Sequence, residues 1–162
     1  MHKIGITGGI GSGKSLVCRI IQTMGFPVFY ADIQARKLTE TNTSVIQGLK
    51  SLLGENIYQN QQLNRKYMAE LCFNNPSLLM QINSLIHPIV FSQFEDWIQQ
   101  HHQASLVFME AAILFESGAD KLVDSVVAVW APIETRVRRV VERDGVNPQS
   151  VMERIRNQMG DD

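Results

Sequence analysis

Apolar positions along the chain follow two rhythms, one of short strand-like runs and one of helical spacing. Lys3 to Thr7 is a short run of the buried-strand kind. Lys14 to Met24 then brings Val17, Ile20, Ile21 and Met24 round at helical spacing, and Gly25 with Pro27 stops it. Val28 to Tyr30 is a second strand ending at Ala31-Asp32, after which Ile33 to Leu38 turns helical. Two strand–helix units so close together predict a parallel α/β sheet. From Thr43 to about His102 the rhythm is helical throughout, with no strand read between the helices. His87-Pro88 interrupts the last long pattern with a kink or a fresh helix start. Ser105 to Met109 and Ser125 to Trp130 restore buried strands, each followed by a helical stretch. Pro132 sits at a helix start, and Asn147-Pro148 reads as a cap followed by a first-turn proline. Four strands are counted, and with the last helix running up to Gly160-Asp161-Asp162 the sheet reads as one element short.

Composition narrows the class. A chain of 162 residues suits one domain with a core of its own, and a net charge of -1 gives no global attraction to nucleic acid or anionic membrane. The apolar runs fall well short of the roughly 20 residues a membrane span needs. No signal peptide opens the chain, so a cytoplasmic protein without membrane or nucleic-acid partners is expected. Cys18 and Cys72 sit in helical patterns beside apolar neighbours and read as free, buried thiols. No Cys/His set at ligand spacing points to zinc.

The chemistry starts where the first strand runs into Gly8-Gly9-Ile10-Gly11-Ser12-Gly13-Lys14-Ser15. The glycine-x4-glycine-lysine-serine spacing, lying between a strand and a helix, is that of a phosphate loop. Glycines let backbone amides curl inward, the helix start adds a positive dipole end, and a lysine reaches the outer phosphates. Gly8, Gly9, Ile10, Gly11, Ser12, Gly13, Lys14, Ser15 and Leu16 form the expected ATP-binding run, with the Ser15 hydroxyl a ligand for Mg²⁺. Such loops serve switches, motors and small-molecule kinases alike. The absence of Asn-Lys-x-Asp and Asp-x-x-Gly strings disfavours a guanine switch.

Phosphoryl transfer needs a carboxylate to orient the acceptor hydroxyl, and cations around the migrating group. Asp32, at the end of the second strand, is the first candidate for the carboxylate, with helix capping as its rival reading. Glu110, closing the third strand, suits Mg²⁺ or its water, while Glu116 reads equally as a metal ligand and as a cap or ion-pair partner. Six of the 15 lysines and arginines fall between Arg136 and Arg156. Arg138 has Glu134 and Glu142 four residues to either side and reads as a solvated, ion-paired face. Arg136, Arg139 and Arg143 share one helical stripe, which suits either an arginine lid closing on an anion or tolerated repulsion in water.

Taken together these strings resemble the dephospho-CoA kinase family. The resemblance runs through "IGITGGIGSGKS", "ADIQAR", "LNR", "IHPIV", "ILFE", "VWAPIETRVRRVVERDGV" and "RIRNQM", in family order across nearly the whole chain. It implies a P-loop kinase-like three-layer αβα fold with a parallel sheet, an all-helical substrate-domain insertion and a helical lid. The expected divisions are a nucleotide-binding core over 1–32 and 103–132, a helical substrate domain over 33–102, and the arginine lid with the start of the C-terminal region over 133–162. It further implies that ATP phosphorylates the ribose 3'-hydroxyl of dephospho-CoA with Mg²⁺, giving CoA and ADP. By motif, Asp32 matches the acceptor-side carboxylate, and Lys14, Arg139 and Arg143 the cations around the transferring group. Arg36, Arg65 and His87 fall in substrate-side motifs. Departures include Leu16 in place of a hydroxyl residue, Asn64 in place of an aspartate, Ala112 in place of a proline, and Arg136 in place of a glutamine. Family members usually continue beyond "RIRNQM" with a further helix and strand, so a truncated form with a weak nucleotide site is one expectation. A kinase of another nucleoside-like acceptor, or a non-catalytic ATP-binding module, is the alternative.

Overall fold

In the computed structural model, which describes residues 1–73, 75–156 and 158, the chain divides into two compact units, Met1–Tyr30 with Trp97–Asp162 and Ala31–Asp96. In chain order the elements are β1 (His2–Thr7), α1 (Lys14–Thr23), β2 (Val28–Tyr30), α2 (Ala31–Thr41) and α3 (Thr43–Leu53). A short hairpin follows, β3 (Tyr58–Gln59) and β4 (Gln62–Leu63), then α4 (Arg65–Phe73) and α5 (Pro76–Gln100). The chain closes with β5 (Leu106–Glu110), β6 (Ser125–Ala128), α6 (Ile133–Asp144) and α7 (Pro148–Arg156). No helix among the described residues is long and apolar enough to cross a membrane.

The first unit is built on a four-stranded, all-parallel sheet in the order β2-β5-β1-β6, the α/β architecture that the strand–helix alternation predicts. β5 lies between β1 and β2, so the chain leaves β1 through α1 and skips one place before re-entering the sheet. Ile6 pairs with Glu110 and Thr7 with Ala128, so the carboxyl ends of three strands lie level with the glycine loop that follows β1. Alternate residues of β1 face opposite ways. Ile4 and Ile6 join Cys18, Ile21, Val28 and Phe108 in one cluster under α1. A Cβ at Gly5 would stand 2.8 Å from a methyl of Leu114, so a larger residue at that strand position requires the Leu114 side chain to move.

Two details of this unit differ from the sequence pattern. The expected α1 face included Ile20 and Met24, but these are 52% and 67% exposed, and Cys18 carries the burial instead. The reason lies in the loop: Lys14 is buried, and the residue one turn later shares its face, so anchoring the lysine turns α1 away from the purely apolar choice. The stretch from Ser125 stops being a strand at Ala128 and is exposed along its length, because β6 is an edge of the sheet.

The second unit is helical apart from the β3–β4 hairpin. That hairpin escaped the sequence reading because its turn is Asn60-Gln61, both at positive φ (49° and 65°), where an Asn-Gly pair would have announced it. α5 runs unbroken through Pro88, buries Ile82, Ile86, Val90 and Phe94, and starts behind an Asn75 side chain that accepts from the Leu78 amide at 3.0 Å. Gly48 of α3 gives close access to α5: a Cβ there would lie 2.6 Å from a Leu85 methyl.

Candidate phosphate-binding site

The residues from Gly8 to Ser15 form a tight loop between β1 and α1. Gly8, Gly11 and Gly13 have φ of 138°, 78° and 110°, values that L-residues with a Cβ rarely adopt. Gly8 is doubly constrained, since a Cβ would fall 2.1 Å from the Val129 carbonyl oxygen. Lys14, the first residue of α1, donates to the Gly8 carbonyl at 2.5 Å, folding its ammonium back over the loop. Ser12 Oγ is buried and has no hydrogen-bond partner among the described residues. An unpartnered buried hydroxyl costs free energy unless something else satisfies it, and a phosphate oxygen or water held in the loop does so.

Beside the loop, Glu110 ends β5 and is buried, whereas Glu116 is exposed. The neighbouring Cys18 thiol registers the local field. Burial pushes it up to about 11, the Glu110 charge pushes the same way, and Lys14 opposes both. Lys14 and Glu110 therefore act on one small volume at the carboxyl ends of β1 and β5. Tyr30, whose hydroxyl donates to Gln22 Oε1 at 2.8 Å, is raised chiefly by burial and then by the Cys18 and Glu110 charges. A hydroxyl from Ser15 and one carboxylate from Glu110 suit Mg²⁺, which keeps much of its water shell and shares ligands with substrate phosphates.

α6 lies against the back of the loop. When loop amides turn inward, loop carbonyls turn outward and form a crown of acceptors. The arginine stripe meets this crown: Arg136 Nε donates to the Ile10 carbonyl at 3.0 Å, and Arg139 to those of Gly11 and Ser12 at 3.3 and 3.1 Å. Arg136 is 2% exposed, the most buried charged side chain among the described residues. Arg143, farther along the same stripe, forms a two-pronged pair with Asp144 at 2.7 and 2.9 Å, which holds the Asp144 carboxyl below its ordinary range. Arg138 is exposed, but among the described residues no ion pair within 4 Å joins it to Glu134 or Glu142.

The remaining candidates lie in the second unit. Asp32 is the second residue of α2, exposed and inside the first turn. His87 is half-buried, with its ring 6.0 Å from that of Phe91. Burial pushes its pKa below the ordinary value, and the Asp32 charge partly opposes this. Arg65 donates to Glu40 at 2.7 Å, to the Thr39 hydroxyl at 3.2 Å and to the Arg36 carbonyl at 3.5 Å. The Arg36 side chain is exposed. Asp32 and His87 thus share a field, while Arg65 belongs to a separate cluster tied together by Tyr58, which donates to the Thr39 carbonyl at 2.6 Å.

Comparison with known proteins places this loop in its family. The dephospho-CoA kinase family model matches residues 2–162. The chain belongs to the dephospho-CoA kinase family. It is 41% identical over 160 residues to the dephospho-CoA kinase of Bacteroides fragilis strain YCH46, covering 99% of this chain and 78% of that protein. The dephospho-CoA kinase of Porphyromonas gingivalis strain W83 is also 41% identical, over 98% of this chain and 78% of its own length. Among solved structures, TT1252 from Thermus thermophilus has a TM-score of 0.87 at 36% identity, covering 98% of this chain and 80% of that one. The dephospho-CoA kinase from Campylobacter jejuni shares the fold, with a TM-score of 0.64 at 22% identity over 96% of this chain and 79% of that one.

Sequence reasoning did not find how the loop is held from behind. Arg136 stood out only as one member of a stripe, and Gln158, whose side chain accepts from the Ile10 amide at 2.8 Å, only as part of a motif. The stripe was the one signal available, because 126 residues separate Arg136 from Ile10.

Proposed function

We propose that this chain transfers the γ-phosphoryl group of ATP to the ribose 3'-hydroxyl of dephospho-CoA, producing CoA and ADP. The observation that carries the reading is an intact phosphate loop, with a buried lysine and an unpartnered Ser12 hydroxyl, in a chain of the dephospho-CoA kinase family. Phosphoryl transfer is mostly a problem of position and charge, because the transition state is loose and carries its negative charge on outer oxygens. The inward loop amides and Lys14 hold the β- and γ-phosphates. Lys14 exchanges its Gly8 carbonyl for a phosphate oxygen, and Ser12 Oγ gains the partner it lacks.

Ser15 and Glu110 are the residues that would hold Mg²⁺, which when bound neutralises phosphate charge. Arg139 and Arg143 supply further positive charge, for which Arg143 gives up its pairing with Asp144. Asp32 orients the acceptor hydroxyl and takes its proton, and Arg36, Arg65 and His87 bind the acceptor. Asp32 is well suited chemically: it is exposed and follows directly from the carboxyl end of β2.

The test is ADP release from Mg-ATP with and without dephospho-CoA, with mass spectrometry for the 3'-phosphorylated product. Acceptor-dependent ADP with CoA formed is the expected result. ADP release that ignores the acceptor, or that responds better to a nucleoside, overturns the substrate assignment.

A further inference from the structure

The backbone of Ile10 is gripped on both sides by groups far away in sequence. Its carbonyl accepts from Arg136 Nε at 3.0 Å, and its amide donates to Gln158 Oε1 at 2.8 Å. Arg136 comes from α6 and Gln158 from the segment after α7, so two different parts of the C-terminal region converge on one loop residue. Arg136 also fills the space beside Gly9, where a Cβ would lie 1.8 Å from a guanidinium nitrogen. At Gly11 a Cβ would fall 2.5 Å from the Arg136 carbonyl oxygen. Two of the loop's glycines are therefore required by Arg136 and not only by phosphate. A guanidinium this buried is seated by packing and hydrogen bonds, and it leaves little freedom to the peptide it holds.

We propose that Arg136 and Gln158 are positioning residues that clamp the backbone of Ile10 and hold the phosphate loop in its binding shape before nucleotide arrives. A loop already ordered loses less conformational freedom on binding, so the clamp acts as affinity for the phosphates without touching them. Neither side chain contributes a group to the transferring phosphoryl. The clamp acts on the part of the nucleotide that the loop holds and leaves the acceptor alone. This inference rests on the reading of residues 8–15 as a nucleotide cradle.

Its test is calorimetric titration of the full chain with Mg-ATP, for wild type, Arg136→Met, Gln158→Leu and the double variant, alongside steady-state kinetics and melting curves. Arg136→Met keeps the apolar stem and removes the donors, and is expected to weaken Mg-ATP binding about tenfold. Gln158→Leu removes the acceptor at a less buried position and is expected to weaken it about threefold. The double variant should be weaker than either by less than the product, because both residues hold the backbone of one residue. KM for ATP rises with the dissociation constant while KM for the acceptor stays put. Unchanged Mg-ATP affinity in both single variants, even with lowered melting temperatures, overturns the clamp and leaves the two residues as ordinary packing. If Arg136→Met fails to fold, Gln158→Leu decides alone. Wild type that binds no Mg-ATP sinks the cradle reading and the clamp with it; wild type that binds while Gln158→Leu binds equally well sinks only the clamp.

Discussion

At the scale of single residues, the two carboxylates proposed for the chemistry sit in opposite environments. Glu110 is buried at a strand end and Asp32 is exposed in a helix start, which fits a fixed charge for the former and a group that meets incoming substrate for the latter. Asp32→Asn keeps the shape and removes the proposed base. It is expected to lower kcat by about 10²- to 10⁴-fold with little change in Mg-ATP binding, read by turnover and titration side by side. Turnover near wild type would remove Asp32 from its role. The same substitution withdraws the charge that holds up the His87 pKa, so the His87 ring should titrate at lower pH by NMR. The two cysteines provide an independent check on the site's interior. Cys18 is fully buried with its pKa pushed to about 11, whereas Cys72 is only half-buried and less strongly shifted. A thiol reagent at pH 8 should modify Cys72 first and leave Cys18 unmodified until the protein unfolds, as peptide mapping would show.

At the scale of elements, α5 is the helix whose sequence argues hardest against it. An interior proline removes a hydrogen bond and crowds the carbonyl four residues back, yet the helix continues through Pro88 from Pro76 to Gln100. Burial explains why: Ile86 and Val90, on either side of Pro88, and Ile82 and Phe94 beyond them all lie in the core, so tertiary packing outweighs local preference. Pro88→Ala should therefore stabilise the fold, by about 1–3 kcal/mol in denaturant titration. His87, proposed above to bind the acceptor, stands next to Pro88, and the same variant is expected to raise KM for the acceptor by several-fold. Stability gained with an unchanged acceptor KM would detach Pro88 from binding.

For the whole molecule, what was legible in the sequence is what lies close along the chain. The phosphate loop needs only consecutive residues and its flanking strand and helix, and these could be read directly. The parallel sheet followed from the spacing of its strands, but the insertion of β5 between β1 and β2 did not, because strand order depends on pairings about 80–100 residues apart. The Arg136–Ile10 contact was hidden for the same reason. Burial of Lys14, which set the rotation of α1 against its own apolar pattern, ran against the rule that lysines stay outside.

Ionisable groups scattered through the two units combine into one property of the whole chain, its stability as a function of pH. His87 has a folded pKa below its ordinary 6.5, so its contribution is present above that value and is lost as pH falls and the half-buried ring must charge. Cys18 runs the other way. Its folded pKa of about 11 exceeds the ordinary 9.0, so its contribution is complete below 9 and disappears as pH rises toward 11. Tyr30 and Tyr58, both raised above 10.0 by burial, extend the same alkaline decline. Unfolding free energy should accordingly be level between about pH 6.5 and 9 and fall on both sides. The two limbs have separate owners, which makes the profile testable by substitution. His87→Phe should flatten the upper part of the acid limb, just below pH 6.5, and leave the alkaline limb alone, while Cys18→Ala should do the reverse at some cost in overall stability. Denaturant titrations at half-unit pH steps would show it, and a His87→Phe profile parallel to wild type would mean that other groups carry the acid limb.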